Sequence, residues 1–125
     1  MDFEQPVMAM DWNPTAKGAQ ELLAVGCSDG SFKLVSKAGR IDKQVSEAHQ
    51  TAIISIKWSY EGTLATAGED GQIKTWSRSG MLRSQVVQGG KPIYCLVWSP
   101  ENDALLYCCD KNLTIVPTLP GNKQV

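Results

Sequence analysis

The sequence predicts an all-β chain, a partial β-propeller of about three blades with four antiparallel strands each and the last blade incomplete. Three observations lead there. Tryptophan-ended apolar segments recur in one phase, Asp-centred turns recur at nearly the same period, and helix signals are almost absent. The segments VMAMDW, IISIKW and IYCLVW end at Trp12, Trp58 and Trp98, in steps of 46 and 40 residues. The turns in LLAVGCSDG, TLATAGEDG and LLYCCDKN centre on Asp29, Asp70 and Asp110, in steps of 41 and 40. A β-sandwich also supplies many short strands, but it gives no reason for three copies in one phase. Four strands every 40 residues or so is the arithmetic of a propeller blade.

The elements follow in order within each copy. Residues two and four before each Trp are apolar: Met10 and Met8, Ile56 and Ile54, Leu96 and Tyr94. Alternate residues of a strand share a face, so the first strand of every copy is expected to bury the same side. The apolar runs before Asp29, Asp70 and Asp110 are second strands. Asp-Gly then makes a hairpin turn, because Gly accepts positive φ and Asp hydrogen-bonds its own turn. The third copy spells this turn Asp-Lys-Asn, a weaker signal. Third strands follow in SFKLVS, QIKTWS and NLTIVP, with Phe32, Ile73 and Leu113 each three residues past the Asp and expected in one phase. The turns SKAG and SRSG lead to candidate fourth strands RIDKQV and MLRSQVV. PTLPGNKQV leaves little room for a fourth strand in the last copy. AKGAQELL is faintly helical and reads as a loop insertion, which accounts for the longer first period. One domain over 1–125 is expected, with blade 1 at about 7–46, blade 2 at about 47–88 and blade 3 at about 89–125.

Composition narrows the function classes. Twelve Lys and Arg balance thirteen Asp and Glu, without the basic stripe that nucleic-acid binding needs. Apolar runs are only a few residues long, so membrane insertion is not expected. The opening MDFEQPVMAM is acidic and lacks a signal peptide's apolar centre, so a cytosolic-side location is the expectation. Cys27, Cys95, Cys108 and Cys109 form no C-x-x-C pair and are expected as buried, reduced thiols in strands. No phosphate-binding glycine loop, metal-ligand spacing or activated nucleophile is spelled out. No catalytic, cofactor-binding or metal residue is therefore expected, and no cofactor or small-molecule substrate.

The middle copy carries one polar constellation. His49 lies nine residues before Trp58, Thr66 four before Asp70, and Trp76 six after it. This combination resembles the WD40 family, whose blades place a His, a Ser or Thr, an Asp and a Trp in one hydrogen-bonded chain. The resemblance implies a structural tetrad of His49, Thr66, Asp70 and Trp76. A buried carboxylate must be paired, and imidazole and hydroxyl groups supply the partners. At the matching positions the first copy has Phe3, Val25 and Val35, and the third has Gly89, Leu106 and Val116. Those blades are expected to rely on apolar packing. The only histidine is thereby read as a structural group rather than a catalytic base. Gln50, Thr51, Glu69, Lys91 and Tyr94 flank the tetrad's rim and are the candidate protein contacts.

GEDGQIKTWSRSGMLRS, with SDGSFKLVSKAGRIDKQVSEAH before it and WSYEGT between them, is more specific. It is similar to the first propeller of the intraflagellar transport complex B proteins that carry two WD40 propellers and a helical region. The resemblance runs from about Val7 to Leu119. It implies a non-catalytic scaffold that binds other complex B subunits and supports cilium assembly and ciliary transport, at the cilium or flagellum, the ciliary base and in the cytoplasm. The alternative is another WD40 adaptor, such as a vesicle-coat component or a ubiquitin-ligase substrate receptor. Three blades leave two apolar blade faces uncovered, and such faces are contact surfaces or aggregation risks.

Overall fold

The computed structural model describes residues 3–14 and 21–118, and every regular element among them is a strand. The first sheet has the order β1 (Val7–Trp12), β2 (Leu22–Cys27), β3 (Phe32–Ser36), β4 (Ile41–Val45). The second has β5 (Ile53–Trp58), β6 (Leu64–Gly68), β7 (Gln72–Trp76), β8 (Leu82–Gln88). The third has β9 (Cys95–Trp98), β10 (Ala104–Cys109) and β11 (Asn112–Pro117). All pairings are antiparallel meanders between sequence neighbours. The chain is thus an open, partial propeller whose last blade has three strands among the described residues. Of the faintly helical AKGAQELL, Leu22 and Leu23 belong to β2; Ala16 to Gln20 lie outside the described residues.

The first strands β1, β5 and β9 approach one another, while the later strands fan outward. Each blade therefore has a leading face toward the blade before it and a trailing face toward the blade after it. Strand alternation supplies both faces. On the middle blade Ile56, Trp58, Leu64 and Trp76 turn forward and pack with Leu22, Ala24, Phe32 and Leu34 of the first. Ala65, Ala67 and Ile73 turn the other way and pack with Ile93, Leu96 and Leu105 of the third. Small Ala side chains next to large ones let the sheets interdigitate at interior density.

The expectation of one buried side for all three first strands holds only where a neighbour covers it. Ile56 and Leu96 are buried, at 1% exposure each, against the preceding blade. Met10 occupies the same face of the first blade and is exposed, because no described blade stands against it; Met8 is exposed too, at a register break between Val7 and Ala9 where the alternation lapses. Tyr94 is also exposed and lies ahead of β9 rather than in it. The phase of Phe32, Ile73 and Leu113 is kept, since each pairs with the matching residue of its second strand. Phe32 and Ile73 are fully buried, yet Leu113 is 63% exposed on a trailing face with no described blade against it. The cysteines depart from the expectation of burial, and for Cys95 and Cys108, which pair on the third blade's trailing face, the cause is the same. Cys27 is buried, whereas Cys95 is exposed and Cys108 and Cys109 are half-buried; all four are free thiols.

The third blade also shifts by one residue inside. The turn after β5 closes with Ser59 N–H on the Thr63 carbonyl, while the turn after β9 closes with Ser99 N–H on that of Ala104. The extra residue is recovered at the next hairpin, where only Asp110 and Lys111 separate the paired Cys109 and Asn112. Thr66 faces Ile56 and Lys74, and Tyr107 faces Leu96 and Thr114. The counterpart of Thr66 in the third blade is therefore Tyr107, not Leu106. Positive φ falls on Gly30 and Gly71 in the first two Asp-turns, but on Asp110 itself in the third, at 55°.

Candidate functional site

The middle blade builds its polar centre from three short segments. β6 places Thr66 in the buried strand interior, β7 ends on Trp76, the turn between them carries Asp70, and the loop before β5 brings in His49. Trp76 Nε1–H donates to Thr66 Oγ1 at 2.9 Å. The Thr66 hydroxyl meets His49 Nε2 at 2.7 Å. His49 Nδ1 faces both Asp70 oxygens at 3.3 and 3.4 Å, a longer and weaker link. Asp70 Oδ1 also accepts the Gln72 backbone N–H at 3.0 Å.

The Asp70 carboxylate only accepts, so Nδ1 carries the imidazole hydrogen toward it; in the neutral ring Nε2 then accepts the Thr66 hydroxyl hydrogen, while the Thr66 oxygen receives the indole hydrogen. The ring is neutral in this arrangement. Burial lowers the His49 pKa, and the Asp70 charge opposes that shift without overcoming it. Such a ring has both nitrogens occupied inside the protein, which leaves it poorly placed as a general base.

Backbone space around this centre is used up. A Cβ on Gly68 would stand 2.6 Å from Asp70 Oδ1 and 2.9 Å from His49 Nδ1. The network also reaches across the blade boundary: Trp76 meets the Phe32 ring edge-on, with centroids 4.9 Å apart. The first blade's turn docks on the His49 loop, where Gly30 carbonyl accepts His49 N–H at 3.0 Å. Gly71 repeats the contact with Gly89 at 2.9 Å. Both Gly30 and Gly71 have positive φ, and a Cβ at either would collide with the docked loop's carbonyls.

The other blades answer the same positions differently. Asp29 stays local, accepting Ser31 N–H at 3.0 Å and its hydroxyl at 2.6 Å; the hydroxyl bond lowers its pKa. Val25 and Val35 stand in for Thr66 and Trp76 and pack with Cys27, Leu23 and Phe3. Asp110 pairs with Lys91 Nζ at 2.9 Å at the surface, and the pairing raises the lysine's pKa.

The five rim positions divide into two places. Thr51 and Lys91 hold equivalent positions over Gly30 and Gly71, and Gln50 and Glu69 are exposed beside them. Thr51 Oγ1 is buried without a hydrogen-bond partner among the described residues. Tyr94 instead lines an open groove of about 700 Å³ along the inner strands, with Met10, Ser55, Trp58 and Cys95.

Sequence reasoning treats Trp12, Trp58 and Trp98 as strand markers and misses their bonding. Trp58 Nε1–H donates to the Asp11 carbonyl at 3.1 Å, and Trp98 Nε1–H to the Lys57 carbonyl at 3.0 Å. Each acceptor immediately precedes the Trp of the blade before. The recurrence of Trp at the end of each first strand is the available signal for this inter-blade lock.

Comparison with known proteins agrees with this architecture. The WD domain, G-beta repeat family matches residues 42–77, the segment from β4 to just past Trp76. The mouse protein named intraflagellar transport protein 80 homolog is 44% identical over 120 residues, covering 91% of this chain and 15% of its own length. Its rat counterpart gives the same values. Human F-box-like/WD repeat-containing protein TBL1X is 27% identical over 128 residues, covering 90% of this chain and 22% of its own. A crystal structure of the computationally designed Ika8 protein superposes with a TM-score of 0.72 at 16% identity, over 87% of this chain and 32% of that one, a likeness of fold alone. The chain spans less than a quarter of the length of these natural relatives. It carries a WD40 repeat at its centre and is a partial propeller of that family's type, related in sequence to intraflagellar transport protein 80.

Proposed function

We propose that this chain is a non-catalytic, protein-binding scaffold segment of intraflagellar transport complex B, supporting cilium assembly and ciliary transport at the cilium, its base and in the cytoplasm. The observation that carries this reading is the 44% identity along 91% of the chain, against 27% for the F-box-like relative. The internal satisfaction of the middle blade supports it. His49, Thr66, Asp70 and Trp76 act as a structural tetrad that holds the rim in shape. The working surface is then the rim itself, with Gln50, Thr51, Glu69, Lys91 and Tyr94 as contact positions. The blades divide at about 7–46, 47–88 and 89–125 within one domain. Propellers present loops and edges to partners without needing chemistry of their own.

Affinity purification of the tagged chain from ciliated cells tests the reading. Complex B subunits are expected among the captured proteins, and their recovery should fall when Gln50, Glu69 and Lys91 are changed together to Ala. Capture of vesicle-coat or ubiquitin-ligase subunits in their place would support the other adaptor class. A hydrolase activity lost on His49→Ala, with the fold intact, would overturn the non-catalytic assignment.

A further inference from the structure

The boundary between the second and third blades holds a cavity at the place that a side chain fills between the first and second. Gly71 carbonyl accepts Gly89 N–H as Gly30 carbonyl accepts His49 N–H, so Gly89 stands in the place of His49. Tyr107 stands for Thr66, and Thr114, which faces Tyr107, stands for Lys74, which faces Thr66. In the middle blade the His49 imidazole occupies the site, and Lys74 Nζ bonds the adjoining Ala48 carbonyl at 2.7 Å. In the third blade residue 89 has no side chain and Thr114 is much shorter than Lys74. What remains is a cavity of about 320 Å³ whose walls include Val87 of the second blade and Tyr107, Asp110 and Thr114 of the third. That volume lies at the small end of the range for ligand pockets. The cavity lies between two described blades, not at either end of the arc. Gly89 does not have a positive φ, and a Cβ there would meet the Gly71 carbonyl oxygen at 3.2 Å and Val87 Cγ1 at 3.9 Å. With a small shift the backbone thus accepts a side chain where the sequence supplies none.

We propose that this cavity binds an imidazole ring offered from outside the chain, as the side chain of a histidine on a partner protein's loop. The proposal rests on the protein-binding reading above only for the source of the ring. The middle blade shows what the site suits: its imidazole accepts a hydrogen from the Thr66 hydroxyl and gives one to the Asp70 carboxylate. The cavity offers the same complement, the Tyr107 hydroxyl as donor and the Asp110 carboxylate as acceptor. Neither is used up. The Tyr107 hydroxyl has no hydrogen-bond partner among the described residues, and the Asp110 carboxylate bonds only Lys91 Nζ, through Oδ2. Asp29 and Asp70 each spend Oδ1 on a backbone N–H of their own turn. Asp110 makes no such bond, because only two residues separate the paired Cys109 and Asn112, and its Oδ1 stays open. The Tyr107 ring adds a flat apolar surface against which an imidazole stacks. Lys91, one of the rim contact positions, is exposed at the cavity, where a docked loop would pass.

Heteronuclear NMR titration of the purified chain at about pH 8, where an ordinary histidine ring is neutral, tests this. The probe is N-acetylhistidine methylamide, with free imidazole beside it and N-acetylalanine methylamide as the control. Both ring-bearing compounds should give saturable shifts of the Gly89, Gly90, Lys91 and Tyr107 amides, and the alanine compound none. Gly89→His places a ring of the chain's own in the cavity and should abolish the response. Tyr107→Phe keeps the wall but removes the hydroxyl, and should weaken binding about fivefold, the effect of losing one hydrogen bond. If Gly89→His fails to fold, Tyr107→Phe decides. Absence of a saturable shift, a response matched by the alanine control, or binding unchanged in either folded variant overturns the proposal. Binding of free imidazole without the peptide-like probe overturns it too, since a partner's loop could not then deliver the ring. The titration uses no other subunit, so its failure leaves the capture experiment above to judge the protein-binding reading separately.

Discussion

The middle and third blades share a period and a strand order but are held together differently. The middle blade has neighbours on both sides, a fully buried Thr66 and Ile73, and a polar chain running from Trp76 to Asp70. The third has one neighbour among the described residues, and the residue matching Ile73 is the exposed Leu113. Its turn aspartate, Asp110, pairs with the exposed Lys91. A repeated sequence pattern therefore fixes where a strand lies and which way its side chains point. Burial, and with it the energetic weight of each position, depends on what stands opposite: a neighbouring blade for Ile56 and Ile73, or the segment carrying Phe3 for Val25 and Val35.

Paired substitutions at matching positions sharpen this contrast. The largest effect is expected at Trp76, whose indole bonds Thr66 and whose ring meets Phe32. Trp76→Ala should lower unfolding stability by about 3–5 kcal/mol in chemical denaturation, as large buried aromatics do. Val116→Ala at the matching, half-buried position should lose clearly less. Next comes Asp70→Ala, expected to cost about 1–3 kcal/mol by stranding the His49 and Gln72 donors. Asp110→Ala should cost less, because its partner is exposed and surface pairs contribute little. Equal losses at Asp70 and Asp110 would remove the distinction between the blades.

A smaller effect belongs to pH. His49 is the only histidine, and burial keeps its folded pKa below the usual 6.5. The unfolded chain therefore takes up a proton at a pH where the folded chain does not. The His49 contribution is fully present above about pH 6.5 and is lost as pH falls from there through the depressed folded value. Thermal midpoints should decline between about pH 7 and 5, and His49→Gln should flatten that part of the profile while lowering its plateau. The smallest effect is expected at Lys91. Lys91→Ala should leave the midpoint unmoved within measurement, since both partners of its ion pair are exposed.

Much of this architecture is legible in the sequence. Trp12, Trp58 and Trp98 end first strands as their spacing requires, and Gly30 and Gly71 take the left-handed turns that Asp-Gly demands. The polar centre is legible through the family pattern, because its four residues sit at characteristic distances from Trp58 and Asp70. Three features are not. The exposure of Met10 and Leu113 depends on whether a facing blade is present, which periodicity does not encode. The Tyr107 counterpart of Thr66 depends on a one-residue exchange between two turns, invisible when copies are aligned on Asp alone. The bonds from Trp58 to Asp11 and from Trp98 to Lys57 join residues of different blades, and only packed sheets bring them together.

Strand-resolved backbone hydrogen exchange on the intact chain tests most directly whether a doubly covered middle blade organises this arc. Amide protection is expected to be greatest in β6 and β7, lower in β10, and least in β4 and β11, which lie at sheet edges. Protection that is uniform across the three sheets, or greatest in β9 to β11, would contradict it.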